Sequence, residues 1–305
     1  MGTIVYAHKN INVATGCRDG LPCWHRCWAR QMARRLSGRH GYPEMPFEFR
    51  PTWHESAFNK ALRPHKPARI CLNFMGDIAE QTTDAIGLSL GLARRFRNDR
   101  YLWLTKRPGL LAAKMQQLGL TPPLPNVWIG TSVGNQDEAD ERVPELLAGF
   151  PGWNLWVSVE PMLSEVRLSR GCDYNWLDPV HVSNGSRPAK LSFCVLGGES
   201  GPGARPMHPD WARTLRDECK QAGVPFWFKQ WGEWLPDSET LDMTWTVKDG
   251  HPGAPVDFIG KPVCNLSPGL HAFRVGKKVA GDYLDGKQHH ELPQELLMEW
   301  EKTND

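Results

Sequence analysis

The feature that most constrains this chain is a regular alternation between short apolar runs and longer amphipathic stretches. The runs are rich in β-branched and aromatic residues, and most are apolar at every position rather than at every second position. This pattern is typical of strands that are buried on both faces, as in a parallel sheet. We predict strands at residues 70–74, 101–104, 127–129, 155–159, 193–196 and 225–228, with a weaker one near 11–14.

The segments between these runs carry helical periodicity. The clearest predicted helix spans residues 209–222, with Trp211, Leu215 and Cys219 on one face, a proline in the first turn and Gly223 as the terminator. Strands and helices in alternation indicate βαβ units. Six or seven such units favour an α/β fold, a full or partial TIM-like (β/α) barrel, with a doubly wound open sheet as the alternative.

Two stretches interrupt this alternation. Residues 161–191 show little helical pattern, and we expect a long crossing loop or a small insertion there. After Trp234 the composition shifts to Pro, Gly, Asp and Lys. We therefore assign a (β/α) barrel to residues 1–235 and an irregular C-terminal extension to residues 236–305, closed by a short helix at 293–302.

Composition and charge exclude several classes of protein. Lys and Arg total 36 and Asp and Glu total 34, and the resulting net charge of +2 is too even for a polybasic or an acidic tail. No apolar run approaches the roughly 20 residues that a membrane-spanning helix needs. The first ten residues lack the apolar segment of a signal peptide. We expect a soluble, cytoplasmic protein that has no membrane partner.

Charged side chains, amides and glycines follow nearly every predicted strand. Ligands bind at the carboxyl ends of the strands in barrels and open α/β sheets. We therefore predict a binding site at this edge, with ligand-free polar turns as the alternative. The residues concerned are Met75, Gly76 and Asp77, then Lys106 and Arg107, Ser132, Ser158 and Glu160, the run 197–201, and Lys229 and Gln230.

The run Gly197-Gly198-Glu199-Ser200-Gly201-Pro202-Gly203 is the most glycine-rich segment of this edge. Glycines let a backbone approach a ligand closely and offer amides to anions. The run matches neither the Walker loop nor the G-x-G-x-x-G fingerprint. It indicates either a cradle for the carboxylate, ribose or phosphate of a cofactor, or a tight turn that binds nothing.

Three cysteines lie within eleven residues, at Cys17, Cys23 and Cys27, and lead directly into a predicted helix. Thiolates this close in sequence can bind one metal centre. Three interpretations remain open at this point. The thiolates hold three irons of a four-iron cluster and leave the fourth iron open; or they bind zinc with one histidine; or they are small core residues without metal. The histidines available to zinc are His8, His25 and His40.

The three cysteines, with Trp28 directly after the third, resemble the cysteine loop of the radical S-adenosylmethionine (SAM) enzymes. The closer resemblance is to a phage and prophage family of radical-SAM-like three-cysteine proteins, which is distantly similar to spore photoproduct lyase. The spacing here is Cys-x5-Cys-x3-Cys, longer in both gaps than the usual Cys-x3-Cys-x2-Cys, so the loop must take a different shape. The matching stretches cover most of the chain: 13–17, 27–33, 73–77, 104–108, 126–142, 158–161, 197–211, 228–232 and 275–278.

This resemblance implies a barrel of the radical SAM type, with a [4Fe–4S] cluster and S-adenosylmethionine as cofactors. Cys17, Cys23 and Cys27 would ligate the cluster, and Trp28 would lie near the adenine. The turn Met75-Gly76-Asp77 stands where radical SAM enzymes usually carry a Gly-Gly-Glu turn for the methionine amino group. The remaining candidates for cofactor contacts are Ser132, Ser158, Glu160, Gly197, Gly198 and Glu199, with Lys106 and Arg107 available to neutralise a carboxylate or phosphate.

The activity implied is reductive cleavage of the sulfonium to a 5′-deoxyadenosyl radical, which abstracts a hydrogen atom from the substrate. The resemblance therefore predicts an enzyme of the isomerase or lyase type. A cellular electron donor would reduce the cluster. The phage setting of the family would place the protein in the host cytoplasm.

The substrate implied by the resemblance is a nucleobase, a nucleotide or DNA. One concrete case is the rearrangement of an amino-acid-decorated thymidine during phage DNA hypermodification. Two alternatives belong to other classes. One is a zinc-stabilised, non-catalytic nucleic-acid-binding protein, and clustered arginines at 26–39 and 94–100 fit a phosphate backbone or a solvated helix face. The other is a metal-free hydrolase with Glu160 and Glu199 as its carboxylate pair.

Overall fold

The computed structural model of the protein describes residues 4–18, 26–119, 123–171, 173–178, 189–240, 245–248, 251–255 and 260–301. Cys23 and His25 lie outside these ranges.

The strands are β1 (Lys9–Ile11), β2 (Ala14–Thr15), β3 (Thr52–Trp53), β4 (Arg69–Leu72), β5 (Arg100–Thr105), β6 (Val127–Val133), β7 (Asn154–Val159), β8 (Leu191–Gly197), β9 (Phe226–Gln230), β10 (Trp234–Pro236), β11 (Trp245–Lys248), β12 (His251–Pro255), β13 (Val263–Ser267), β14 (Leu270–Arg274), β15 (Tyr283–Leu284) and β16 (Lys287–Gln288). The helices are α1 (Trp28–Leu36), α2 (Glu55–Ala61), α3 (Thr83–Arg95), α4 (Pro108–Gln117), α5 (Gln136–Gly149), α6 (Pro209–Gln221) and α7 (Lys277–Ala280).

The main sheet has seven parallel strands in the order β1-β4-β5-β6-β7-β8-β9. It curls into a half-barrel with helices along its outside. The strand order follows the chain and never reverses, whereas a doubly wound sheet contains a point of reversal. The predicted α/β fold is confirmed in its partial-barrel form.

The convex face of the sheet packs against the helices. Every second residue along each strand faces this layer, and Trp103, Ile129 and Val157 are examples that are fully buried there. Helix α6 contributes its predicted face, including Leu215 and Cys219, and the chain turns at Gly223 with φ of +64°. This layer is the continuous apolar core that the strand and helix patterns indicated.

The concave face is filled by large rings over most of its length. Trp128, Trp156, Phe193 and Trp227 project inward, and the ring of Tyr6 packs edge-on against the last three of them. The N-terminal segment therefore covers part of the concave face. The polar side chains described below lie toward the carboxyl ends of the strands.

The C-terminal region is more regular than the irregular extension expected from the sequence. Strands β10, β14 and β13 form an antiparallel sheet, and the pairs β11–β12 and β15–β16 form two-stranded sheets. His290 then bridges to Trp227, and its ring stacks on the indole at 4.4 Å between centroids. The extension thereby continues the main sheet beyond β9.

The helix expected at 293–302 is wrong for the described residues up to Glu301, which form turns. The chain bends there because Leu296 and Met298 are both buried while the Glu301 carboxylate pairs with Arg69 at the amino end of β4. The segment 161–171, by contrast, lacks helices and strands, as expected for a crossing loop.

No helix in the described ranges combines the length and the apolar character that crossing a bilayer requires.

Candidate functional site

Three of the predicted site residues meet at the carboxyl edge of the concave face. Ser132 and Ser158 are register partners on neighbouring strands β6 and β7, and Glu160 follows directly after β7. The Ser158 hydroxyl donates to Glu160 Oε2 over 3.0 Å, and the Ser132 hydroxyl donates to the Glu160 carbonyl oxygen over 3.4 Å. The sheet register therefore assembles a polar cluster from residues that are far apart in the chain.

Lys229, which the sequence analysis placed at the predicted binding edge without giving it a contact to the cofactor, completes this cluster. Its ammonium lies 2.7 Å from Glu160 Oε1, and the two side chains are 21% and 15% exposed. The signal that could have found it is its place two residues after Trp227, because alternate residues of β9 face the concave side. A lysine at such a position needs an anionic partner.

Gly197 makes room for Glu160. A methyl group on Gly197 would lie 2.7 Å from Glu160 Oε1, which is closer than a methyl carbon approaches an oxygen to which it is not bonded. This predicted cofactor residue therefore has a spatial role in the structure, since it lets the carboxylate reach Lys229.

The next part of the glycine-rich run packs against the loop after β9. The Gly198 amide donates to the Gln230 carbonyl over 2.8 Å, and a side chain at Gly198 would overlap the backbone of Trp231. Gly201 and Gly203, by contrast, have φ of +97° and +73° and face open space. The run thus contains a tight packing contact first and an open turn afterwards.

Glu199 is held in an ion pair of its own. The Arg205 guanidinium donates to both carboxylate oxygens over 2.8 Å. Partial burial opposes ionisation, but these hydrogen bonds outweigh it, and the pKa of Glu199 lies below its usual value. Glu160 is likewise paired with a cation. A general acid at neutral pH needs a raised pKa, so the lowered pKa of Glu199 argues against that role for Glu199 in the hydrolase alternative.

The cysteine loop packs at the same end of the half-barrel. Cys17 and Cys27 both contact one apolar cluster, whose buried members are Ala29, Ala33, Tyr42, Phe49 and Met75. The Cys17 amide donates to the Phe49 carbonyl over 2.9 Å. Cys23 lies outside the described residues, and within those residues no set of three or more metal-ligating side chains converges.

Of the histidines considered for zinc, His8 is positioned away from this loop. It precedes β1 at the amino end of the sheet, where its Nδ1 accepts from the Arg69 amide and its Nε2 lies 3.3 Å from Glu301. His8 therefore cannot join Cys17, which follows β1 and β2 toward the opposite end.

The loop is attached to the sheet through two glycines. Gly16 and Gly76 form an isolated parallel bridge, in which the Gly16 amide donates to the Met75 carbonyl over 3.0 Å and the Asp77 amide donates to the Gly16 carbonyl over 3.2 Å. This bridge places the residue before Cys17 against the turn after β4. The predicted residues Met75 and Gly76 are thus directly beneath the cysteine loop.

Asp77 organises that turn. It is 4% exposed, and its carboxylate accepts from the Thr105 hydroxyl over 2.6 Å, the Lys106 amide over 2.8 Å and the Ala79 amide over 3.0 Å. These bonds fix the ends of β4 and β5 relative to each other. The contact to a methionine amino group that the resemblance implies for Asp77 stays a prediction.

Glu80 is a buried carboxylate that pairs with the cysteine loop, and no local sequence pattern distinguishes it. Its side chain is fully buried and pairs with Arg18, over 3.0 Å, and with Arg107. Arg18 directly follows Cys17, and Arg107 follows β5. Glu80 therefore ties the cysteine loop to the neighbouring strand.

The far end of the loop reaches across the half-barrel. Arg26 donates to the carbonyl of Gly203 over 3.1 Å, which joins the residue before Cys27 to the open turn of the glycine-rich run. Trp28 begins α1 beside this contact, and its side chain is 58% exposed. An exposed indole at this position is available to a flat ligand.

A cavity of about 390 Å³ lies away from this edge, at the amino end of β9. Arg216, Asp285 and His289 are among its lining residues. None of the predicted site residues lines it, so it is separate from the candidate site.

Comparisons with known proteins place the chain in one family. No curated protein and no solved structure matches it. A family described as Protein of unknown function (DUF5131) matches residues 1–293. Since that match spans nearly the whole chain, the protein is a member of the DUF5131 family.

Proposed function

We propose that the protein is a radical SAM enzyme whose cluster is held by Cys17, Cys23 and Cys27 and whose substrate is a nucleobase or nucleotide. The observation that carries this proposal is the Gly16–Gly76 bridge. It brings the cysteine loop to the same strand edge as the polar cluster of Ser132, Ser158, Glu160 and Lys229. A metal centre and a polar cofactor can therefore share one end of the half-barrel.

The donor set fits a [4Fe–4S] cluster that has one iron without a protein ligand. Cys17 and Cys27 pack on the same apolar cluster, so the two ends of the loop lie close together, with Cys23 between them in sequence. Apolar surroundings limit solvent access, which tunes the potential of such centres. A cluster held by Cys17, Cys23 and Cys27 would supply one-electron reduction of S-adenosylmethionine, whose sulfonium would be cleaved to methionine and the 5′-deoxyadenosyl group.

The residues at the strand edge would hold the cofactor and the substrate. Ser132 and Ser158 offer hydroxyls to a ribose, and Glu160, which pairs with Lys229, offers a carboxylate acceptor. Trp28 offers an exposed ring to the adenine. Below them, the inward-facing rings of Trp128, Trp156, Phe193 and Trp227 exclude water from the concave face, which protects a reactive intermediate.

A nucleic-acid substrate and a protein electron donor both fit the charge near the loop. Helix α1 carries Arg30, Arg34 and Arg35 and no acidic residue. Such a face attracts anionic surfaces. Within the proposal the protein works in the cytoplasm, the host's if it is encoded by a phage.

The test is the formation of 5′-deoxyadenosine. Protein purified and reconstituted anaerobically should release it when S-adenosylmethionine and a low-potential reductant are added. A variant with Ala at Cys17, Cys23 and Cys27 should release none. Cys264→Ala, on β13, is the matched control and should keep the activity. A wild-type protein that releases no 5′-deoxyadenosine and binds one zinc would favour the nucleic-acid-binding alternative.

A further inference from the structure

A second feature of the strand edge is a cavity of about 170 Å³ beside the carboxyl end of β9. Two of its lining residues are lysines from different elements: Lys229 projects from β9, and Lys277 begins α7. The other lining residues are Val5, Gln230, Gly281 and Asp282. The cavity adjoins the Glu160–Lys229 pair but belongs to none of the cofactor contacts assigned above.

The cavity brings two ammonium groups together. Lys229 pairs with Glu160 over 2.7 Å, whereas no carboxylate in the described ranges lies within ion-pair distance of Lys277. Asp282, the one acidic residue of the lining, is bound by Gln288 over 3.2 Å and by His290 over 3.0 Å. Burial, followed by the charge of Lys229, lowers the pKa of Lys277, and the carboxylates of Glu160 and Glu233 oppose this shift without cancelling it.

Gln230 supplies an independent observation. This residue is only 6% exposed, and its side-chain oxygen has no hydrogen-bond partner among the described residues, while its nitrogen donates to the Gly198 carbonyl over a long 3.5 Å. Buried polar atoms are nearly always partnered in native proteins. An acceptor left open at a cavity indicates a ligand with a hydroxyl donor.

We propose that this cavity binds the phosphate of a nucleotide together with a hydroxyl of its sugar, with Lys229 and Lys277 on the phosphate and Gln230 on the hydroxyl. A phosphate monoester carries a charge of roughly −1.5 to −2 at neutral pH, so it can bind the ammonium of Lys277 and share that of Lys229 with Glu160. Lysine binds phosphate as a point charge, whereas planar carboxylates favour arginine. The identification of this nucleotide as the substrate rests on the proposed function. The preference of the cavity for a phosphate is independent of it.

The experiment compares thymidine 5′-monophosphate with thymidine as ligands of the intact protein, by isothermal titration calorimetry without S-adenosylmethionine or reductant. We expect the monophosphate to bind at least tenfold more tightly. Lys277→Gln should remove most of that difference without loss of folding, because Lys277 lies at the protein surface and only part of its side chain faces the cavity. The control, Lys278→Gln on the adjacent exposed residue, should preserve it. Acetate and inorganic phosphate, added as competitors, separate a carboxylate site from a phosphate site.

Equal binding of the two ligands would overturn the proposal, as would equal effects of the two lysine substitutions or competition by acetate alone. These outcomes are separate from those of the radical SAM test. If the protein releases 5′-deoxyadenosine but does not prefer the monophosphate, the phosphate site is wrong and the proposed function stands. If the protein binds zinc and still prefers the monophosphate, the phosphate site stands and the proposed function is wrong.

Discussion

Gly76 lies back to back with Gly16, so closely that a methyl group on Gly76 would overlap both the backbone nitrogen and the carbonyl oxygen of Gly16. The two residues also pair as a parallel bridge. This contact is the direct link between the turn after β4 and the chain entering the cysteine loop. Because only backbone atoms meet there, the distance between the loop and the sheet depends on the absence of a side chain at Gly76.

Gly76→Ala should displace the cysteine loop. We expect a loss of stability of about 1–3 kcal/mol, as for an overpacked core, and a larger relative loss of bound iron after reconstitution. Urea unfolding and iron analysis measure the two effects. Gly91→Ala is the control, because this glycine lies within α3 and has no atom within 4 Å of the added methyl. That substitution should stabilise the protein by about 0.5–1 kcal/mol and leave its iron content unchanged; equal iron loss in both variants would contradict the assigned role of the bridge.

Glu80→Gln should loosen the loop in another way. The fully buried carboxylate pairs with Arg18 and Arg107, both of which keep solvent access, so we expect a moderate loss of about 1–3 kcal/mol. The variant should also lose iron faster to a chelator. Glu165→Gln, which removes an exposed pair with Arg167, is the matched control and should change stability by less than about 1 kcal/mol. Unchanged chelation kinetics in Glu80→Gln would show that this ion pair does not hold the loop.

Trp28→Ala should weaken the binding of S-adenosylmethionine by about tenfold, since stacking of a base on an aromatic ring contributes roughly 1–3 kcal/mol. The indole is 58% exposed, so its removal should change the free energy of unfolding by about 0.5 kcal/mol or less. Trp300 is equally exposed, at 56%, and lies near His8 at the amino end of the half-barrel. If Trp300→Ala weakens cofactor binding as much, the adenine does not lie on Trp28.

His54 should make stability depend on pH. It is buried, its Nε2 lies 2.7 Å from the Thr15 hydroxyl, and burial lowers its pKa. The unfolded chain, with a histidine pKa of about 6.5, therefore takes up the proton more readily than the folded chain. The stabilisation that neutral His54 provides above about pH 6.5 should therefore be lost as the pH falls through the lower pKa that His54 has in the folded protein.

His54→Gln keeps a hydrogen-bonding side chain and removes this titration. The stability advantage of the wild type over the variant, measured by urea unfolding, should therefore shrink between about pH 8 and about pH 5. A constant difference across this range would mean that protonation of His54 is not linked to folding.

Local pattern was enough to predict most strands of the main sheet and helix α6. The runs at 101–104, 127–129 and 155–159 lie inside β5, β6 and β7, because strands buried on both faces must be apolar throughout. Helices α2 and α4 were not predicted. Their polar or glycine-containing sequences, 55–61 and 108–117, carry a weaker periodic signal.

The contacts that build the site required three-dimensional information. Residues Ser132, Ser158 and Glu160 were identified by their places after strands, and the register does bring them together. The partner of Glu160, by contrast, is Lys229, 69 residues further along the chain. Likewise, no local pattern distinguishes Gly76 as the partner of Gly16 from a glycine in an ordinary turn.

The central claim is that the three cysteines hold a four-iron cluster with one iron open to S-adenosylmethionine. Electron paramagnetic resonance of the anaerobically reconstituted, reduced protein tests it most directly. We predict the spin-one-half signal of a reduced [4Fe–4S] cluster, a change in its g values when S-adenosylmethionine is added, and no signal in the variant with Ala at Cys17, Cys23 and Cys27. A cluster signal that S-adenosylmethionine leaves unchanged, or a protein that binds zinc and shows no signal, would contradict the account.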